Sequence, residues 1–276
     1  MEPLLKWAGG KRKLLTEIKK IISPEIIGKH KFYEPFVGGG SVAFNFNCPN
    51  TIINDINKEL INVYVQVKLH PEELINELKK HKDNHNHDYY YSIRNMDRLP
   101  NYKQLSKIRK AARIIYLNKT CYNGLYRVNS KGYFNVPLGR YVNPDIVSEQ
   151  KIKELSKFLN EKNVSIRNLE FYNAVLDAQE GDFIYFDPPY DYENSGFISY
   201  SSKGFNRKNL KKLKKVCDKL INKGCHILVS NNDTEFVNNL FNDSNYTINR
   251  IEVNRFISCD GKNRQKAKEV LIYGRK

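Results

Sequence analysis

The stretch that most limits what this chain can fold into is DFIYFDPPY, residues 182–190. A short apolar run reads as a strand, and it meets Asp187, Pro188 and Pro189 in succession. Proline has no backbone N–H and a fixed φ, so neither proline can extend a sheet ladder. The strand must therefore stop at Asp187. Its carboxylate is left at the carboxyl edge of a sheet, and a proline-locked turn leads to Tyr190. Such a turn aims the Asp187 oxygens and the Pro188 carbonyl at one small volume. Two acceptors without a competing donor suit an exocyclic amino group, and Tyr190 offers a face to a planar base. The plainer reading is a turn with a capping Asp.

The rest of the chain supplies the sheet. KFYEPFVGGGS (31–41) reads as a strand, a glycine turn and a helix start, and TIINDIN (51–57) as a strand ending in Asp55. Residues 58–119 are mostly helical in pattern; within 106–120, Ile108, Ala111, Ala112, Ile115 and Leu117 fall near helical spacing. A helix returns at 148–160, and 164–171 and 182–187 read as strands. In 206–223, Leu210, Leu213, Val216, Cys217, Leu220 and Ile221 line one face of an amphipathic helix. CHILVSN (225–231) reads as a buried strand, with 246–254 and 268–274 as an antiparallel pair. Strand–helix alternation around an insert predicts an α/β sheet carrying a second module.

Two further constellations point to a nucleoside. Gly38, Gly39 and Gly40 after the first strand let backbone approach a ligand closely, or simply make a tight turn. The helix start that follows suits an electronegative group. Asp55 ends the next strand, 17 residues after Gly38. An acid there can bind both hydroxyls of a ribose. The G-x-G-x-x-G pattern of NAD enzymes is not met. Trp7, the only tryptophan, sits in a cationic glycine-flanked turn, KWAGGKRKLL (6–15), where the Lys11 head can reach a carboxylate.

Residues 102–141 hold nine Lys/Arg, no Asp or Glu, six tyrosines and one phenylalanine. YNGLYRVNSKGYFNVPLGRYVNP looks like hairpins and loops rather than core. The whole chain carries a formal charge of +16, which favours a polyanionic partner such as nucleic acid or an anionic membrane, unless the lysines merely cover helix faces. Five cysteines at irregular spacing, with no C-x-x-C, argue against a zinc site and a disulfide framework. No apolar run approaches membrane-spanning length and the N-terminus has no apolar signal core, so a cytoplasmic protein is expected.

These segments together resemble the Dam-type (D12 class, alpha-group) DNA adenine-N6 methyltransferases. The resemblance is carried by LKWAGGKRKLL, YEPFVGGGSV, NDIN, KTCYNGLYRVNSKGYFNVPLGRY, DFIYFDPPY, FISY, ILVSN and KAKEVLIY, in the family's order and over nearly the whole chain. It implies a class I, Rossmann-like mixed seven-stranded sheet formed by residues 1–57 and 161–276. Residues 58–160 would be an inserted, mainly helical target-recognition domain with a β-hairpin. It also implies S-adenosylmethionine as methyl donor, with no metal. Trp7, Lys11, Phe36, Gly38 and Asp55 would line the cofactor site, Glu170 and Phe171 would flank its adenine at a third strand end, and Asp187 would touch both cofactor and base. Catalysis would rest on Asp187, Pro188, Pro189 and Tyr190. Here the family's acid at 170 is Glu rather than Asp, and DYENSGFISY departs from the commoner Pro- and Thr-containing version.

By the same resemblance the partner is double-stranded DNA and the site GATC. Arg127 would read a guanine, since a guanidinium pairs bidentately with O6 and N7. Tyr122 and Asn123 would enter the gap left by a flipped adenine, Leu125 and Pro137 would make apolar base contacts, and Lys6 would reach the outer guanine. The basic loop 258–268 would clamp phosphates. A monomer is the default expectation; a companion restriction endonuclease in a restriction-modification pair need not bind directly. Rival readings are methylation of cytosine N4 or an RNA base, and a non-catalytic DNA-binding relative.

Overall fold

The structure is a computed structural model that describes residues 1–7, 14–22, 29–192, 205–253 and 267–276. Lys11, FISY (197–200) and most of the basic loop 258–268 lie outside the described residues. The first part of the chain gives α1 (Leu15–Ile21), β1 (Phe32–Glu34), α2 (Ala43–Phe46) and β2 (Ile52–Asn54). A helical stretch follows: α3 (Lys58–Leu69), α4 (Pro71–Asp83), α5 (His87–Asn95) and α6 (Lys107–Thr120), with 3-10 turns at Met96–Arg98, Pro100–Gln104 and Tyr122–Gly124. Then come α7 (Glu149–Glu161), β3 (Ser165–Arg167), β4 (Phe183–Phe186), α8 (Arg207–Asn222), β5 (His226–Asn232), α9 (Glu235–Leu240), β6 (Tyr246–Val253) and β7 (Ala267–Gly274).

The sheet is seven-stranded in the order β3-β2-β1-β4-β5-β7-β6. β1 to β5 run parallel, with Tyr33 opposite Ile52 and Ile184, and β7 runs antiparallel to both β5 and β6. Parallel strands are covered on both faces and so read as continuous apolar runs. In β4, Phe183 and Tyr185 enter one core with Leu14, Phe44, Val63 and Leu159, while Ile184 and Phe186 enter a second with Leu213, Cys217 and Val237. The first core continues without a break into α4, α5 and α6 through Leu78, Tyr90 and Ile115.

Local signals explain the element ends. The Asn57 side chain caps α3 by accepting from Glu59 N–H and Leu60 N–H, Pro71 opens α4 at a position that needs no donor, and Asn206 with Asn209 forms a capping box on α8. One strand is shorter than the pattern predicts. The run 164–171 pairs only over Ser165–Arg167, because the Asn54 amide takes over the backbone of Leu169 and turns the chain away. Glu170 and Phe171 therefore sit in the turn beyond the strand, where the Glu170 carbonyl accepts from Asn173 and Ala174 N–H. The expected hairpin in 121–141 is minimal: single antiparallel bridges join Cys121 to Leu138 and Val128 to Phe134.

Candidate active site and nucleic-acid interface

Strand order reverses between β1 and β4, and ligands of open α/β sheets bind at the carboxyl ends of the strands at such a switch point. Phe36, Gly38, Asp55 and Asp187 all follow strand ends at this edge. Asp55 Oδ2 accepts from Gly38 N–H at 3.1 Å, and Oδ1 from Asn57 N–H at 2.9 Å. Those bonds do not use all four lone-pair sites of the carboxylate. Burial pushes the Asp55 carboxyl up, and backbone hydrogen bonds from Asn57, Gly38 and Ile56 oppose that shift. Tyr64 donates to the Gly38 carbonyl at 2.6 Å, and Asn168 donates to the Asp55 carbonyl at 2.7 Å.

The glycine loop is shaped by its neighbours as much as by space for a ligand. Gly38 has φ +47°, and a Cβ there would lie 2.8 Å from Trp7 Cδ1. At Gly40, with φ +71°, a Cβ would lie inside the Phe44 ring. The helix start that follows is a single turn, and its Ala43 N–H already donates to the buried Glu34 carboxylate at 2.8 Å. That donor is therefore used within the fold by Glu34.

Phe36 stacks on Phe171 (5.4 Å between centroids) and meets Phe205 edge-on, which makes an aromatic wall beside the glycine loop. Glu170 is exposed next to it. Asn54 fastens this region together: its amide donates to the Pro35 and Leu169 carbonyls and accepts from Leu169 N–H.

On the other side of the switch point, Pro188 is buried and Pro189 exposed, and Asp187 and Tyr190 are half-buried. Tyr190 donates its hydroxyl to Glu269 on β7 at 3.0 Å. Burial and the nearby Asp187 and Glu269 carboxylates push that phenol well above its ordinary value, so it stays protonated. The next residue, Asp191, is buried. Its N–H donates to Asn231, its carbonyl accepts from Asn232, and its carboxylate takes Arg207 at 2.9 and 3.1 Å and Thr234 at 2.9 Å. The proline turn is thus clasped from β5 and α8 at its exit.

The residues assigned to DNA gather on the 121–141 loop and the adjoining N-terminal segment. Asn118 joins the two: its Oδ1 accepts from Lys6 N–H at 2.9 Å, and its Nδ2 donates to the Lys6 carbonyl at 2.6 Å and the Gly124 carbonyl at 2.9 Å. Lys6 Nζ lies 4.2 Å from the centre of the Tyr141 ring. Tyr122 is exposed with its N–H on the Pro137 carbonyl, and exposed Asn123 takes φ +54°. Leu125 is half-buried and Pro137 exposed. Arg127 is exposed, with Nε on Asn135 Oδ1 at 2.8 Å. Trp7 stacks on Tyr126 at 5.3 Å, so the indole links this loop to the glycine turn.

Sequence reasoning missed Glu34, Asn54, Tyr64, Asn118, Asp191 and Glu269. Asn54 lies within the quoted NDIN and Glu269 within KAKEVLIY, but their hydrogen-bond roles carry no sequence signal. Cys48, Cys121, Cys217 and Cys225 are free and buried. Among the described residues no group of His, Cys, Asp and Glu is arranged to hold a metal ion, and no helix is long and apolar enough to cross a membrane.

The mixed seven-stranded order, with one antiparallel strand beside the edge, is the fold of the class I S-adenosylmethionine-dependent methyltransferases. Residues 7–257 match the family described as D12 class N6 adenine-specific DNA methyltransferase, and the chain belongs to that family. It is similar to the type II methyltransferase M1.LlaDCHI of Lactococcus lactis subsp. cremoris, 39% identical over 99% of this chain and 95% of the relative. It is likewise similar to the type II methyltransferase M.MjaIII of Methanocaldococcus jannaschii, 38% identical over 96% of each. The DNA adenine methylase of Vibrio cholerae is 34% identical over 97% of this chain and 94% of the relative. The chain is an adenine-specific DNA methyltransferase, and its family implies S-adenosylmethionine as methyl donor.

Proposed function

We propose that the protein methylates N6 of adenine in GATC within duplex DNA, on a base flipped out of the helix, with residues 58–160 as the recognition module. The observation that carries this reading is the Asp187–Tyr190 turn at the end of β4, beside Asp55 and the glycine loop at the same sheet edge. S-adenosylmethionine, when bound, supplies a methyl group already activated on a sulfonium. Gly38, Phe36 and Trp7 would line its path, Asp55 would hold the ribose, and Phe171 with Glu170 would flank its adenine.

The reactive amino group is unreachable inside a duplex, so the base must leave the stack. Asp187 and the Pro188 carbonyl then accept hydrogen bonds from the two N6–H groups, and one of those protons leaves the amine as the methyl is transferred. The two bonds fix the amine and turn its lone pair toward the methyl donor. Tyr190 stacks on the ring, and Glu269 holds its hydroxyl so that the ring cannot swing away. No covalent enzyme intermediate is needed; catalysis is positioning and local electrostatics. Arg127 reads a guanine, Tyr122 and Asn123 fill the vacated gap, Leu125 and Pro137 make apolar base contacts, and Lys6 reaches the outer guanine.

The test is transfer of labelled methyl from S-adenosylmethionine to GATC and scrambled duplexes, followed by digestion and identification of the nucleoside. Label in N6-methyladenine from the GATC duplex alone is expected. Equal labelling of the scrambled duplex would remove the assigned site, and N4-methylcytosine would move the target atom.

A further inference from the structure

The loop that carries the assigned reader closes on itself through a few local bonds. Asn135 N–H donates to the Arg127 carbonyl at 3.1 Å, and Asn129 N–H to the Tyr133 carbonyl and Gly132 N–H to the Asn129 carbonyl, both at 2.9 Å; an isolated two-stranded hairpin of this size is marginal in water. Its placement against the helical stretch comes from contacts outside it. Tyr90 donates to the Val136 carbonyl at 3.0 Å, and the peptide groups of Phe134 supply two more contacts: the N–H donates to Asp97 Oδ2 at 2.8 Å, and the carbonyl accepts from Arg98 at 2.9 Å. Asp97 and Arg98 lie in the 3-10 turn after α5, within the stretch whose pattern is mostly helical.

This turn is itself anchored in the core of the helical stretch. Arg98 also donates to Asp97 Oδ1 at 3.0 Å. Arg113 on α6, only 2% exposed, pairs with Asp97 Oδ2 at 2.9 Å and donates to the Ile93 and Arg94 carbonyls at 2.9 and 2.7 Å. A buried guanidinium spread over a carboxylate and two carbonyls has a rigid fork geometry, so it fixes the carboxylate rather than following it. Beyond Phe134 the chain reaches the reader at once. Asn135 N–H donates to the Arg127 carbonyl at 3.1 Å, and Asn135 Oδ1 accepts from Arg127 Nε. The Phe134 ring meets Tyr126, which stacks on Trp7 beside the glycine loop.

We propose that Asp97 and Arg98, seated on Arg113, are positioning residues that place Arg127 for base reading and so set site discrimination without touching DNA. This rests on the assignment of Arg127 as the guanine reader. A guanidinium must meet O6 and N7 together, so a small displacement of its backbone costs the bidentate pair.

The test compares kcat/KM on a GATC duplex with that on a duplex changed at the guanine assigned to Arg127. It uses the full chain and Arg98→Ala, Asp97→Asn and Arg127→Ala. Arg98 is 30% exposed, so its variant keeps the proposal testable if Asp97→Asn does not fold. Arg98→Ala is expected to lower discrimination about tenfold, with kcat at saturating GATC duplex held within about twofold, and Arg98→Lys to recover part of it. Amide hydrogen exchange across 127–136 should rise in the DNA-free protein. Unchanged discrimination in folded Arg98→Ala overturns the proposal, whatever exchange does. If Arg127→Ala has lost discrimination in the same assay, the reader assignment stands and only the positioning role falls. If Arg127→Ala is also unchanged, both fall. Loss in the Arg98 variant with none in Arg127→Ala overturns the route through Arg127.

Discussion

In the proposed reaction Asp187 and the Pro188 carbonyl are the acceptors for the target amine, and neither oxygen carries a donor. Replacing Asp187 by Ala is expected to abolish methyl transfer while duplex binding, measured by gel shift or anisotropy, survives. Retained turnover would remove Asp187 from the reaction. Gly40 makes a different demand. Its φ of +71° is strained for any side chain, and a Cβ would enter the Phe44 ring. Gly40→Ala is expected to cost about 1–3 kcal/mol of stability in urea unfolding, because strain and overlap with a buried ring act together. The sequence marked Gly40 as conformationally special but gave two possible reasons, a ligand or a turn. Packing adds a third, since Phe44 and Trp7 stand against the loop.

At the scale of elements, the long amphipathic helix α8 depends on its start. Asn206 accepts from Lys208 and Asn209 N–H, and Asn209 accepts in return from Asn206 N–H. Asn206→Ala should lower stability by about 0.5–2 kcal/mol, read as a fall in thermal midpoint, and Asn206→Ser should restore most of it. The apolar stripe of α8 was legible because Leu210, Leu213, Cys217, Leu220 and Ile221 recur at helical spacing and are all buried. The stretch 102–141 was legible as a basic, tyrosine-rich composition and through the motif KTCYNGLYRVNSKGYFNVPLGRY. The nine cationic residues of that stretch, on helix and loop together, look alike in sequence. Yet Arg113 is spent on Asp97 inside the core, while burial lowers the Lys119 ammonium to about 8. Strand 164–171 was overread for a related reason: the pattern continues past Arg167, but Asn54 captures the backbone that would have paired.

For the whole molecule, charge and buried histidine make opposite kinds of prediction. DNA affinity should fall linearly in log–log form with salt, and Arg140→Ala, at an exposed loop position, should reduce that slope by about one. An unchanged slope would take Arg140 out of phosphate contact. Stability should depend on acid through His81, which is buried, stacked on Tyr116 and bonded to the Tyr89 hydroxyl at 2.7 Å. Burial pushes its imidazole down from 6.5 to about 4, with Arg109 and Lys80 acting the same way and Glu77 against it. The unfolded chain therefore binds the extra proton first. The contribution is full above the unfolded value and is lost as pH falls from about 6.5 toward 4. Urea midpoints at pH 7 and pH 4.5 should differ less in His81→Leu than in the parent; an equal difference would assign the acid response elsewhere.

The sequence by itself determined the strands that end in Asp55 and Asp187, the class of sheet they belong to and the family. Those rest on local rules: apolar runs buried on both faces, prolines that stop a ladder and a motif order read along the chain. Only the tertiary structure decided what holds the site. Glu269 reaches Tyr190 across 79 residues, Asn118 reaches Lys6 across 112, and Asp97 reaches Phe134 across 37. A hydrogen bond between residues so far apart leaves no period or spacing in the sequence, because its partners become neighbours only when the sheet and the helical stretch close on one core.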